Sequence, residues 1–121
     1  MDQEKSSIEA ILGMAYPISA MGNWNEVVRL YEDGLKIDAK NSTLKYRLAY
    51  VKHYYQKDYS SALGYIQEVQ QVQPFDFDTN YLLGAIHLAL GNIEQARLAA
   101  LECLKYNPSS TAAKALYDSV K

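Results

Sequence analysis

Few side chains in this 121-residue chain are of the types that catalyse reactions. The chain has one cysteine, Cys103, and two histidines, His53 and His87. A nucleophile or a general base needs a partner group beside it, and neither histidine shares a motif with a pair of carboxylates. A single cysteine also excludes an internal disulfide and the paired-cysteine class of metal sites. The sequence therefore predicts no catalytic residue, no metal site and no cofactor, and we expect the chain not to be an enzyme.

Tyrosine is the residue type that the chain has in excess. There are 11 tyrosines, and the stretch "YRLAYVKHYYQKDY" from Tyr46 to Tyr59 contains five of them. Tyrosine combines a large apolar ring with a hydroxyl that can still find a hydrogen-bond partner, and for this reason it is enriched at binding surfaces. The alternative is that several of these rings pack between helices. The clustering favours recognition of another molecule over chemistry upon it.

Charge and hydropathy exclude several partners and compartments. Lys and Arg total 12 against 14 Asp and Glu, and no basic run interrupts the mixture, so we expect neither nucleic acid nor an anionic membrane as the main partner. The apolar segment Ile8 to Met21 contains Glu9 and follows a net acidic start, whereas a signal peptide starts with basic residues. We expect no membrane insertion, and a cytoplasmic location is favoured over secretion.

The elements that carry these residues repeat along the chain. Three polar turns, starting at Gly22, Gln56 and Gly91, each lead into an amphipathic run with helical spacing. Two of these runs end at a proline, Pro74 and Pro108, and proline cannot continue a helix. A further helical stretch precedes each turn, so that the units start at Ile8, Ser42 and Phe77.

The resulting periods are 34 and 35 residues, and a last helix follows Ser110. Strand patterns are absent. The sequence predicts an all-α protein of seven helices: three helical hairpins and a final helix whose Ala113, Leu116 and Val120 face the stack.

The spacing of small residues and prolines within the hairpins resembles that of the tetratricopeptide repeat (TPR) family. The third unit matches best, through Leu83, Gly84, Gly91, Ala96 and Pro108. The small residues allow two helices to approach closely. The second unit matches with one extra residue near Lys57. The resemblance implies a right-handed superhelical solenoid with a tail at 1–7, repeats at 8–41, 42–76 and 77–110, and a capping helix at 111–121.

In TPR proteins the first helix of each hairpin lines a concave groove that binds peptides. The resemblance implies groove positions for Tyr16, Tyr46, Arg47, Tyr50, His53, Tyr54, Asp78 and Tyr81. If the extra residue of the second unit lay before Leu48, its row would instead be Leu44, Arg47, Val51, Tyr54 and Tyr55.

The sequence departs from the family pattern at two places that affect the groove assignment. Some TPR domains grip a C-terminal carboxylate with several cations, but the matching positions here offer only Arg47, with Asp78 beside it, so we do not expect that clamp. Pro17 lies inside the first predicted helix and predicts a kink or an early break there, which weakens the assignment of Tyr16.

The sequence therefore predicts a non-catalytic protein-interaction module that is monomeric and binds a segment with aromatic or aliphatic anchors. Two alternatives stay open. The chain could be a structural piece of a longer or self-associating array, or it could act as a secretion-type chaperone.

Overall fold

The computed structural model describes residue 11 and residues 22–121, and within them it contains helices and no strand. Six helices follow one another: α1 (Trp24–Ile37), α2 (Ser42–Tyr54), α3 (Tyr59–Val72), α4 (Phe77–Ala89), α5 (Ile93–Tyr106) and α6 (Thr111–Val120). Each packs chiefly on the helices next to it in sequence, so that α2 pairs with α3 and α4 pairs with α5. The predicted all-α class is confirmed. None of the six combines the length and the hydropathy that a bilayer crossing requires.

A short polar side chain precedes each helix, and in all but α5 its capping hydrogen bond explains where the helix begins. Asn41, Asp76 and Ser110 accept hydrogen bonds from the backbone N–H three residues later, at 3.0, 3.0 and 3.1 Å. Asn23 and Asp58 do the same at the starts of α1 and α3. These bonds satisfy amides that have no partner within their own helix. The polar turns recognised in the sequence are therefore helix starts.

The turns before α1, α3 and α5 share one backbone feature. A residue with positive φ precedes the capping residue in each: Gly22 at 78°, Lys57 at 56° and Gly91 at 82°. Glycine adopts this conformation freely, whereas a side chain makes it costly. Lys57 therefore occupies a position at which the other two turns have glycine.

The extra residue of the second unit lies in this turn. The amide of Asp58 donates to the carbonyl of Lys52, six positions back, whereas the amide of Asn92 donates to that of His87, five positions back. The extra length thus follows α2, near Lys57 as predicted. The alternative register is wrong, because two residues that it placed in the groove, Leu44 and Val51, are buried in the core.

The core consists of two clusters along the stack. One joins residue 11 to α1 and α2 and contains Ile11, Val27, Val28, Tyr31, Leu44, Leu48 and Val51. The other joins α2, α3 and α4 and contains Ala49, Ala62, Ile66, Val69, Leu82 and Ile86. The small residues Ala49 and Ala62 are fully buried between α2 and α3, as the sequence predicted for the close contact of the second hairpin.

Gly84 occupies the tightest contact of the last three helices. A methyl group in place of its hydrogen would lie 2.8 Å from Cδ2 of Leu116 and 3.1 Å from Cβ of Ala99. The backbone carbonyl of Ala96 would be 3.6 Å away. The predicted approach of Gly84 to α5 is confirmed, and α6 shares the contact.

Helix α6 packs on α5 and α4 with the face that the sequence predicted. Ala113, Leu116 and Val120 are buried, while Lys114, Asp118 and Lys121 are exposed. The first predicted helix, the tail at 1–7, Pro17 and Tyr16 lie outside the described residues. The repeat bounds and the right-handed superhelix stay predictions.

Candidate functional site

A row of tyrosines runs along one side of α2 and continues onto α4. Tyr46, Tyr50 and Tyr54 recur every four residues, so they lie above one another on the helix surface. The ring centroids of Tyr46 and Tyr50 are 6.5 Å apart, and those of Tyr50 and Tyr54 are 4.6 Å apart. Tyr81 of α4 stacks on Phe77, with centroids 6.2 Å apart. We call Tyr46, Tyr50, Tyr54 and Tyr81 the tyrosine face.

The rings of this face are accessible although their edges are packed. Tyr50 is 41% exposed and Tyr54 is 39% exposed, while Tyr46 and Tyr81 are half-buried. Burial raises the pKa of Tyr46 to about 12, with further contributions from Asp78 and the neighbouring tyrosines. The pKa of Tyr54 is raised by burial and then by the nearby hydroxyls of Tyr81 and Tyr50. At neutral pH the hydroxyls of Tyr46 and Tyr54 are therefore protonated and can donate hydrogen bonds.

His53 does not line an open surface as the sequence predicted. It is only 9% exposed. Its ring packs edge-on against Tyr54 at 4.4 Å and lies 5.3 Å from the ring of Tyr59, between centroids. Its Nδ1 is buried without a hydrogen-bond partner in the described part of the chain. Position 53 adjoins the core rather than the groove, so His53 supports the tyrosine face from beneath.

The two charged candidates lie at one end of the tyrosine face. Arg47 and Asp78 are both exposed, and both line a cavity of about 310 Å³ between the starts of α2 and α4. We call it the polar cavity; its lining is Ser42, Thr43, Tyr46, Arg47, Gln73, Asp76, Asp78 and Thr79. Asp76, which the sequence did not single out, brings a second carboxylate.

A second cavity of about 260 Å³ lies beside the same helix between α1 and α2. We call it the apolar cavity; its lining is Trp24, Val27, Tyr31, Tyr46, Arg47, Tyr50, Val51 and Tyr55. Trp24 and Tyr55 stack with their ring centroids 3.7 Å apart and their planes 12° from parallel. This stack was not predicted, because it depends on the path of the turn that contains the extra residue. Trp24, the aromatic residue at the start of α1, was the signal that could have indicated it.

The reactive residue types do not form a catalytic site in the described residues. Cys103 is fully buried, and burial raises the pKa of its thiol to about 11, so that the thiol packs as a small apolar group. Nδ1 of His87 lies 3.2 Å from Nδ2, the side-chain amide nitrogen, of Asn92. Within residue 11 and residues 22–121 there is no group of three side chains that could hold a metal ion.

Solved structures with the same fold are TPR domains. The first TPR of Spaghetti (RPAP3), bound to the HSP90 peptide SRMEEVD, has a TM-score of 0.87 at 16% identity and is covered over 90% of its length by 95% of this chain. The Arabidopsis OM64 TPR domain has a TM-score of 0.88 at 14% identity, with 97% of it covered by 98% of this chain.

The second TPR domain of human RPAP3, in complex with the HSP70 peptide SGPTIEEVD, has a TM-score of 0.85 at 15% identity over 97% of both chains. No protein-family profile and no curated protein matches the sequence. The resemblance drawn from Leu83, Gly84, Gly91, Ala96 and Pro108 is confirmed by the three-dimensional structure. The chain has the tetratricopeptide-repeat fold.

Proposed function

We propose that this chain is a non-catalytic, monomeric protein-interaction module that binds a peptide segment across the tyrosine face, as an adaptor or an assembly factor. The observation that carries this proposal is the pair of accessible rings of Tyr50 and Tyr54 beside the apolar cavity. Aromatic side chains that border a concave site are the usual anchors of protein recognition. The solved TPR structures bound to peptides support the same use of the fold.

The peptides in those structures, SRMEEVD and SGPTIEEVD, are acidic at their C-terminal ends. The described groove of this chain has one cation, Arg47, beside the carboxylates of Asp76 and Asp78. Several cations are needed to hold a carboxylate-rich tail firmly. We therefore propose a ligand that is anchored by aromatic or aliphatic side chains and not by a C-terminal carboxylate.

The test is a selection of random dodecapeptides, displayed on phage, against the immobilised protein. The parent is compared with a Tyr50→Ala/Tyr54→Ala variant. A Leu98→Ala/Tyr106→Ala variant is the matched control, because both residues are exposed on α5, away from the two cavities. Circular dichroism checks that all three proteins keep their helices.

We expect the parent and the control to enrich the same peptides, rich in aromatic and aliphatic residues. The Tyr50/Tyr54 variant should bind them at least about ten-fold more weakly, because removing one central ring commonly costs about 2 kcal/mol or more. Equal binding by all three proteins, or no enrichment by the parent, would contradict the proposal.

A further inference from the structure

The apolar cavity and the polar cavity are separated by one pair of residues. Among the described residues, Tyr46 and Arg47 are the only ones common to the linings of the two cavities. A chain that crosses the tyrosine face from one cavity to the other must therefore pass over this pair. The two cavities are adjacent subsites that a single peptide can fill.

The polar cavity is lined by more carboxylates than cations. Apart from the tyrosine, the ionisable side chains in its described lining are one guanidinium, Arg47, and two carboxylates, Asp76 and Asp78. The Oδ2 atom of Asp76 is committed to the start of α4, since it accepts from N and Oγ1 of Thr79 at 3.0 and 2.7 Å. Asp78 is exposed and makes no ion pair with any other described residue. Its carboxylate is available to a ligand.

We infer that the bound segment carries a basic side chain next to its apolar anchor: the anchor fills the apolar cavity, and the Lys or Arg enters the polar cavity and pairs with Asp78. This inference rests on the proposed function and specifies its ligand. The half-buried ring of Tyr46 in the wall favours a cation further, because the face of a tyrosine ring attracts positive charge.

An extended peptide offers a way to fill both cavities at once. Side chains two positions apart in an extended chain point to the same side, roughly 6 to 7 Å from each other. Arg47 then lies beneath the backbone that joins the two side chains. Its guanidinium has five N–H donors and no acceptor capacity, so it can donate to main-chain carbonyls of the ligand whatever their sequence. Arg47 thus contributes to affinity. Asp78 determines which side chain is preferred two positions from the anchor.

The test repeats the dodecapeptide selection with the parent, with Asp78→Asn, and with Asp118→Asn as the matched control. Asp118 is an exposed carboxylate of α6 that pairs with Lys121 and lines neither cavity. We expect the parent and the control to enrich Lys or Arg about two positions from an aromatic or aliphatic residue. Asp78→Asn should keep the apolar preference and lose the basic one.

The selected peptide is then synthesised, together with a copy in which its basic residue is replaced by Glu. The replacement should weaken binding to the parent by about five-fold, which is the scale of exposed charge pairs, and should have less than half that effect on Asp78→Asn. Apolar enrichment without a basic residue, or an acidic preference, would overturn this inference and leave the proposed function standing. Failure to enrich any peptide would contradict both.

Discussion

The guanidinium of Arg97 on α5 donates two hydrogen bonds to the backbone carbonyl of Val120, the last residue of α6. The Nε–O distance is 3.0 Å and the Nη2–O distance is 2.8 Å. The final carbonyls of a helix have no partner within the helix, and a cation near them is favourable. A single side chain of α5 therefore holds the C-terminal end of α6.

Replacing Arg97 by Ala should lower the free energy of unfolding by about 1 to 2 kcal/mol, because hydrogen bonds from a charged donor contribute on that scale. Urea denaturation followed by circular dichroism measures the change. Arg29→Ala is the control, because among the described residues Arg29 pairs only with Glu26 and Asp33, on the surface of its own helix. Solvent-exposed pairs of this kind contribute little to stability. Equal losses in the two variants would show that Arg97 does not hold α6.

Lys57→Gly should stabilise the protein. Lys57 has a φ of 56° at the position where the other turns have Gly22 and Gly91. Relief of the left-handed strain outweighs the greater freedom of glycine in the unfolded chain, and we expect a net gain of about 0.5 kcal/mol. Lys40→Gly, in the turn after α1, is the control, since Lys40 has no positive φ; it should be neutral or destabilising. A loss of stability in Lys57→Gly would contradict the assigned turn.

Substitution by alanine should change the stability of the fold in opposite directions at two glycines within helices. Gly84→Ala places a methyl group against Leu116 and Ala99 and should destabilise by about 1 to 3 kcal/mol, the usual cost of overpacking. Gly64 on α3 has no atom within 4 Å of the added methyl group, and Gly64→Ala should stabilise by roughly 0.5 to 1 kcal/mol through helix propensity. Thermal melts of the two variants measure both changes in melting temperature. If both variants shifted the melting temperature in the same direction, the packing at Gly84 would be refuted.

Acidification should destabilise the fold before the carboxylates titrate. Burial lowers the pKa of both His53 and His87 below 6.5, so the unfolded chain takes up protons first as the pH falls through that range. The free energy of unfolding should therefore decrease between about pH 7.5 and 5.5. The decrease should be smaller in His53→Gln/His87→Gln. Parallel pH profiles for the parent and the variant would show that neither histidine contributes.

The sequence predicted the helices well because their signals are local. The Asx and Ser residues that begin the helices, the proline after α3 and the small residues at the close contacts each act within one hairpin. Gly84, Ala96 and Leu116 could be assigned for this reason.

The site was predicted less completely, because its geometry depends on how turns and neighbouring helices meet. His53 was expected in the groove, yet Tyr54 and Tyr59 cover it. The stack of Trp24 on Tyr55 joins the start of one helix to the end of the next, and the extra residue in the turn hides that relation in an alignment. The sequence indicates only that Asp76 can cap a helix, whereas the structure shows that it also borders the polar cavity.

The packing of each helix mainly on its sequence neighbours has a mechanical consequence. When nearly all contacts are between adjacent elements, the stack can lose them one element at a time, without the simultaneous rupture of a long-range sheet. Under tension applied between Gly22 and Lys121, the molecule would extend in small successive steps at low force. We therefore expect the described stack to be compliant along its length.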